Sequence, residues 1–356
     1  KSQQTQEQHG GDAVRVVVRV RPPLAREGAA RCVHVRSETS CAISDADGEL
    51  PRSHTFTFDR VYGEGSTQRQ LYEETARPVV QQVLRGINAT ILAYGQTGSG
   101  KTHTMEGEMA EQDAPSSADG IIPRAIREVF EHIASAQERQ SFSRFLVRAS
   151  CLQIHNEVIS DLLRPERTHL ALRESEKKGV YVERLSEWIV RTPDEILSLL
   201  AAGARARATG ATRLNEQSSR SHAVFMLVVE QAETLEGEGT DQSSQRVLSA
   251  KLNLVDLAGS ERVRRSGARG ARLTESRHIN LSLSALGNVI SALTNGDGSR
   301  KHVPYRDAKL TRLLEDSLGG NCKTLVVANL SPAASSFSES LSTLKFTQRA
   351  KRIRNR

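Results

Sequence analysis

Residues 95–102 read Gly-Gln-Thr-Gly-Ser-Gly-Lys-Thr and fit the phosphate-loop pattern G-x-x-x-x-G-K-[ST], directly behind the apolar run Ile91-Leu92-Ala93-Tyr94. Gly95, Gly98 and Gly100 let successive backbone N–H groups, those of Gln96, Thr97 and Ser99 among them, wrap a phosphate. Lys101 supplies a charge to the β- and γ-phosphates, and Thr102 offers a hydroxyl to Mg2+. A helix starting at Lys101 adds the positive end of its dipole. Average composition puts a chance match in a chain of this length on the order of 1%, so the plain alternative, a Gly/Ser-rich turn before a helix, is set aside.

Two further clusters extend the same chemistry. Asp256-Leu257-Ala258-Gly259-Ser260-Glu261 closes an apolar run, and an Asp at a strand end beside a phosphate loop can hold the Mg2+ shell while the nearby Gly presents an N–H to a γ-phosphate. Asn215-Glu216-Gln217-Ser218-Ser219-Arg220-Ser221-His222 gathers hydroxyls, an amide and a guanidinium suited to sensing a terminal phosphate and ordering a water.

Those groups need a sheet to hold them. Apolar alternation and apolar runs predict strands over 14–20, 145–154, 223–229, 252–257 and 324–330, interleaved with helical patterns, which means an α/β layered fold. The clearest helix covers about 276–293, with Ile279, Leu283, Leu286, Ile290 and Leu293 on one face. A second begins at a capping box, Ser336 with Glu339, and carries Leu341 and Leu344 inward. Residues 45–53, 106–120 and 233–245 read as surface loops, and the polar, Gln-rich residues 1–11 as disordered.

The chain has 356 residues, 37% of them hydrophobic, enough to fill the core of one large domain or two smaller ones. A formal charge of +7 points to an acidic partner without choosing among nucleic acid, membrane and protein. No apolar run is long enough to span a bilayer and no leader pattern opens the chain, so a membrane protein or secreted precursor is not expected. Cys32, Cys41, Cys151 and Cys322 lack C-x-x-C spacing, which speaks against zinc and a disulfide framework and for an intracellular protein. The start at Lys1 and the end in a charge run read as a piece cut from something longer.

In these positions N-x-x-S-S-R-S-H, D-L-A-G-S-E and G-Q-T-G-S-G-K-T resemble switch I, switch II and the phosphate loop of the kinesin motor domain. Arg19-Val20-Arg21-Pro22 is similar to the family's R-x-R-P motif, and residues 302–312, His-Val-Pro-Tyr-Arg-Asp-Ala-Lys-Leu-Thr-Arg, to its microtubule-facing loop and helix. The resemblance runs from about residue 14 to the last. It implies a P-loop NTPase fold, a central mixed, mainly parallel β-sheet flanked by helices on both faces, with the motor domain over 12–346 and the last helix running into a neck linker over 347–356.

The resemblance also implies roles. Thr102 and Ser219 would ligate Mg2+ directly and Asp256 through water. Asn215 and Ser218 would contact the γ-phosphate of ATP or the attacking water, and the Gly259 amide would report whether that phosphate is present. Arg220 and Glu261 would pair across the switches, letting Glu261 relay a proton through a water chain; the plain alternative is an ordinary surface ion pair. Arg19, Arg21, Pro22 and His103 would lie on the adenine side.

Tubulin is acidic, so Arg262, Arg264, Arg265, Arg269, Arg272 and Arg277, then Arg306, Lys309 and Arg312, with Lys177 and Lys178 as weaker candidates, would face the microtubule; otherwise they are solvated charge runs. The implied activity is a microtubule-stimulated ATPase cycling ATP to ADP, plus-end directed by its neck linker. No nucleic acid and no direct membrane contact are expected. The location is the cytoplasm, on the microtubule cytoskeleton, with cargo bound through a tail, a monomeric piece and a dimeric full-length protein. His155, Ala308 and Thr274 depart from common family residues, which bears on subfamily and microtubule affinity. A microtubule tether without a productive ATPase cycle is the alternative. A nucleic-acid-dependent ATPase leaves the switch sequences unexplained, and a depolymerase would carry a long basic loop that the short acidic stretch 45–50 does not supply.

Overall fold

Valine-, isoleucine- and leucine-rich runs bounded by turn residues become strands because branched side chains pack well on a pleated surface. The structure, a computed structural model, describes residues 12–45, 53–108, 116–139, 144–176, 179–209, 219–235, 244–261, 271–294 and 302–356. The chain begins with β1 (Asp12–Ala13), β2 (Arg15–Val20), β3 (Val33–Ser37), β4 (Ser40–Ser44), β5 (Ser53–Thr57) and β6 (Arg60–Tyr62). Then come α1 (Gln68–Leu71), a π-helical turn at Tyr72–Ala76, α2 (Arg77–Val83), β7 (Ala89–Tyr94), α3 (Lys101–Met105) and α4 (Ile121–Glu138). β8 (Arg144–His155), β9 (Val158–Asp161), β10 (Leu172–Ser175), β11 (Gly179–Val182), β12 (Trp188–Val190) and α5 (Pro193–Thr209) follow. The last elements are β13 (His222–Leu235), β14 (Ser244–Asp256), α6 (Ala271–Thr294), α7 (Lys309–Leu313), β15 (Lys323–Leu330), α8 (Phe337–Ala350) and β16 (Arg354–Asn355).

The main sheet runs in the order β12-β8-β13-β14-β7-β15-β2-β6, with β9 paired to β8. Neighbours from β14 to β6 are parallel, and those from β12 to β14 antiparallel. This is the mixed sheet expected. Successive side chains of a strand point to opposite faces, and the core divides accordingly. Val16, Val18, Leu92 and Tyr94 join α6, α7 and α8 on one face, whereas Val17, Ile91, Ala93, Leu252 and Leu254 join α2, α4 and α5 on the other. β7 is buried along its whole length.

Two local readings change. Residues 233–235 and 244–245, expected in a loop, lengthen the β13–β14 hairpin, in which Leu235 pairs with Ser244. Strand pairing overrides the polar composition there. Helix α8 starts where Ser336 and Glu339 place it, but no capping bond forms; the Ser336 hydroxyl instead accepts from Gln96 Nε2 at 3.0 Å. Leu344 is buried and Leu341 packs at the edge of the core.

The chain end lies back on the sheet: β16 pairs with β1, and Val14 N–H donates to Ile353 O at 3.1 Å. Buried Asn355 holds it there. Its amide donates to Ser317 O, Cys322 O and Thr324 Oγ1 at 3.0, 2.6 and 3.2 Å, and its Oδ1 accepts from Gly319 N–H at 2.7 Å. Asn355→Ala is expected to weaken this docking by about 1–3 kcal/mol, read as faster hydrogen exchange at Val14 with little change in the global melting temperature.

Candidate functional site

The site forms where two parallel strands end side by side. Asp256, last in β14, pairs with Ala93 of β7, so the loop leaving β7 and the segment leaving β14 share one crevice beyond the strand ends, where α/β sheets bind ligands. Gly95 turns the chain at φ 155°, and a Cβ there would sit 2.2 Å from the carbonyl oxygen of Asn329 on β15. Side chains are excluded by that close approach.

Thr102 Oγ1 donates to Asp256 Oδ2 at 2.7 Å, and Arg207 of α5 donates to the same oxygen at 3.2 Å. Arg207 also donates to Ser221, to Oγ at 3.3 Å and to the carbonyl at 2.8 Å. Lys101 is buried, with Nζ donating to Gln96 O at 3.0 Å. Burial lowers its pKa, against the pull of Asp256 and Glu261. Asp256 Oδ1, Gln96 Oε1 and Ser99 Oγ are buried with no hydrogen-bond partner. Buried polar atoms ordinarily have partners, and three of the exceptions lie together on the phosphate loop and the end of β14.

Gly259 N–H donates to Ser219 O at 2.8 Å and Ser260 N–H to Gly95 O at 3.1 Å, tying the two expected switches to each other and to the loop. A Cβ on Gly259 would fall 2.3 Å from Thr97 Oγ1 and 2.4 Å from the Glu261 carboxylate, so any larger residue would have to displace the Thr97–Glu261 contact. Glu261 has a different partner here. Its carboxylate accepts from Thr97 N–H at 2.8 Å and from Thr97 Oγ1 at 2.5 Å, not from Arg220. The physical reason is chain path: the Ser260–Gly95 bond draws Glu261 under the phosphate loop. Ser219 and Arg220 are half-buried, while Asn215 and Ser218 lie outside the described residues.

Arg19, expected at adenine, is buried, donating to Gln68 Oε1 at 2.7 Å and Thr104 Oγ1 at 2.9 Å. There it braces α3, and burial brings its pKa down to about 10. Arg21 braces the loop itself: Nε donates to Gly98 O at 2.6 Å, and the guanidinium forms an ion pair with Glu27. Pro22 and His103 are exposed. Among the candidate microtubule residues Arg306 is exposed and Lys309 half-buried. Arg312 is not a free cation, because Glu174 and Glu315 both engage it. Arg262 and Arg265, with Arg264, Arg269, Lys177 and Lys178, lie outside the described residues, and Arg272 and Arg277 fall on the part of α6 whose side chains are not described.

Arg207, Thr97 and Glu27 carry site contacts that sequence reasoning did not assign. Thr97 stood only as a backbone donor, and nothing in the alanine- and arginine-rich run 201–208 marks Arg207. Arg21 donates to Glu27, which holds its carboxyl down to about 2. A depressed carboxyl stabilises the fold above its ordinary range and loses that contribution as pH falls through the folded value. The stability advantage over Glu27→Gln is therefore expected to be about 1 kcal/mol near neutrality, after solvent screening, and to vanish between pH 5 and 2 in chemical denaturation.

Comparison with known proteins agrees with this geometry. The kinesin motor domain family model matches residues 19–353. Kinesin-like protein KIF3C of Mus musculus is 44% identical over 97% of this chain and 46% of its own length, and that of Rattus norvegicus 45% identical over the same shares. The chain thus spans about half the length of these curated relatives. A solved structure described as that of a fast kinesin, with implications for ATPase mechanism and interactions with microtubules, superposes with a TM-score of 0.85 at 39% identity, covering 97% of this chain and 92% of the other. The phosphate loop, the segment after β14 and the strand order that joins them therefore belong to one inherited unit, and the chain is a member of the kinesin motor domain family.

Proposed function

We propose that this chain is a microtubule-stimulated ATPase motor, plus-end directed. The observation that carries the reading is the convergence of Lys101, Thr102, Asp256, Gly259 and Glu261 on one phosphate loop, with Ser219 bonded into it. Buried Lys101 faces the polyphosphate of ATP with its ammonium. The Gly259 N–H, now on Ser219 O, has one hydrogen to give, so a γ-phosphate oxygen and Ser219 compete for it. Glu261, held by Thr97, would take a proton from water ordered by Asn215 and Ser218 of switch I. On γ-phosphate binding it exchanges Thr97 for Arg220.

The donor set fits Mg2+: two hydroxyls and one carboxylate are hard oxygen donors, and Asp256 Oδ1 is buried with no partner. Thr102 and Ser219 would hold the ion directly and Asp256 through water. When bound, Mg2+ neutralises phosphate charge.

Arg306 and Lys309, together with the arginines 262, 265 and 277, are the basic residues proposed to meet tubulin. Arg312 contributes by bracing α7 against the β10–β11 hairpin. Residues 351–355 serve as the neck-linker start, and their docking beside β1 supports plus-end direction.

Steady-state ATP turnover is expected to rise strongly on adding stabilised microtubules, and to rise less as salt passes 0.1 M, where screening reaches about 10 Å. Glu261→Ala is expected to lose about 100-fold or more of the stimulated rate. Salt-sensitive microtubule binding without stimulated turnover would favour the tether instead. Surface-held chains are expected to drive polarity-marked microtubules with their minus ends leading; motion with plus ends leading overturns the direction.

A further inference from the structure

His222 touches three parts of the molecule at once, and the proposed ATPase cycle leaves it without a role. It opens β13, directly after Ser219, Arg220 and Ser221, and its backbone is fixed in the sheet opposite Ile154 of β8. Its ring is buried. Nδ1 lies 3.0 Å from Ala258 N, and Nε2 lies 2.9 Å from Ser282 Oγ on α6. A backbone N–H can only donate, so Nδ1 is the acceptor. In a neutral imidazole the other nitrogen then carries the hydrogen, and Nε2–H donates to Ser282. Burial, with the nearby charges of Arg207 and Lys101, pushes the pKa down to about 3, so the ring stays neutral at physiological pH.

This arrangement has a direction. Ala258 is the residue before Gly259, whose N–H is held by Ser219 O. A shift of the Gly259 peptide thus moves, one Cα away, the N–H that His222 holds. On its other side the ring grips α6 by a bond that requires both distance and angle. The described part of α6 otherwise enters the core through Leu283, Leu286, Val289 and Ile290. Such apolar contacts are non-directional and tolerate sliding, whereas the His222–Ser282 bond sets register. We propose that His222 is a positioning residue that couples the segment after β14 to α6, a single neutral ring of fixed tautomer passing nucleotide-dependent movement of Ala258–Gly259 to the helix. The inference rests on the motor reading for the claim that a nucleotide moves Gly259.

The two ends of the ring can be removed separately. His222→Asn keeps an acceptor near the Nδ1 position and loses the donor to Ser282. His222→Gln does the reverse. Ser282→Ala deletes the partner on α6 and leaves His222 intact, so the test stands even where a His222 variant is destabilised. Hydrogen exchange of the full chain is measured with Mg2+ and either ADP or a non-hydrolysable ATP analogue. In the unaltered chain, α6 amides are expected to exchange at different rates with the two nucleotides. In all three variants that difference is expected to be lost, while 101–105 remains protected by either nucleotide. A difference that persists in all three variants overturns the assignment, as does an unaltered chain whose α6 does not distinguish the nucleotides while its phosphate loop is protected. Absence of phosphate-loop protection in the unaltered chain would instead sink the ATPase reading, and this inference with it.

Discussion

The 2.7 Å contact between Thr102 and Asp256 exists because β7 and β14 are parallel and in register at Ala93 and Asp256. A shift of one residue in that pairing would turn Asp256 to the other face of the sheet. Register is secured by burial on both faces: Ile91 and Leu254 point one way, Leu92 and Val255 the other, and all are buried. The chemistry at the crevice thus depends on hydrocarbon packing deep in the sheet. β15 completes the constraint, since its Asn329 carbonyl leaves no room for a side chain at Gly95, and Asn329 Nδ2 donates to Thr104 Oγ1 at 2.8 Å beneath α3.

Placing Lys101, Arg207 and Asp256 out of water together is costly unless each is compensated. Arg207 and Asp256 compensate each other at 3.2 Å, and Lys101 has a backbone carbonyl and two carboxylates in its field. The carboxylate of Asp256 is divided: one oxygen serves Thr102 and Arg207, and the other has no partner. Arg207 thereby belongs to the site as much as the motif residues do. It links α5 to Ser221, so the charge balance of the crevice and the position of the segment before β13 are set by one guanidinium.

How much of this was legible follows from the range over which each residue acts. The phosphate loop could be read because its demands are local: small residues, a lysine, a hydroxyl at fixed spacing. The main strands could be read because buried faces force apolar runs. The layered fold followed from their alternation with helices. What could not be read depends on partners far along the chain. Arg207 reaches a residue 49 positions away, and Glu261 reaches Thr97 across 164. The Ser336 hydroxyl was diverted from capping α8 by Gln96, an amide 240 positions earlier. Arg19 sits on the side of β2 that tertiary packing covers, and no periodicity distinguishes a buried guanidinium from one facing a base. Residues 233–235 and 244–245 were misread for the opposite reason, since their polar composition suits a loop and an extended two-stranded ladder equally.

The site lies in the plane of the sheet, between two apolar clusters that hold different sets of helices. Both clusters share strands β2, β7, β14 and β15, so the sheet fixes one to the other, whereas hydrocarbon packing, being non-directional, gives the segments beyond the strand ends and α6 no precise mutual setting. Angles are set by the polar bonds that cross the crevice: Gly259 N–H to Ser219, Glu261 to Thr97, and His222 to Ala258 and Ser282. Each uses a group with limited capacity. A backbone amide has one hydrogen, and a neutral imidazole has one donor and one acceptor. Such groups exchange partners rather than share them, so a phosphate oxygen that takes the Gly259 hydrogen must displace Ser219. The apolar clusters can then stay intact while these bonds change hands. Under the proposed coupling the sheet and its apolar faces stay in place and directional hydrogen bonds move, so phosphate occupancy would reach α6 through the buried His222–Ser282 bond rather than through hydrocarbon contacts.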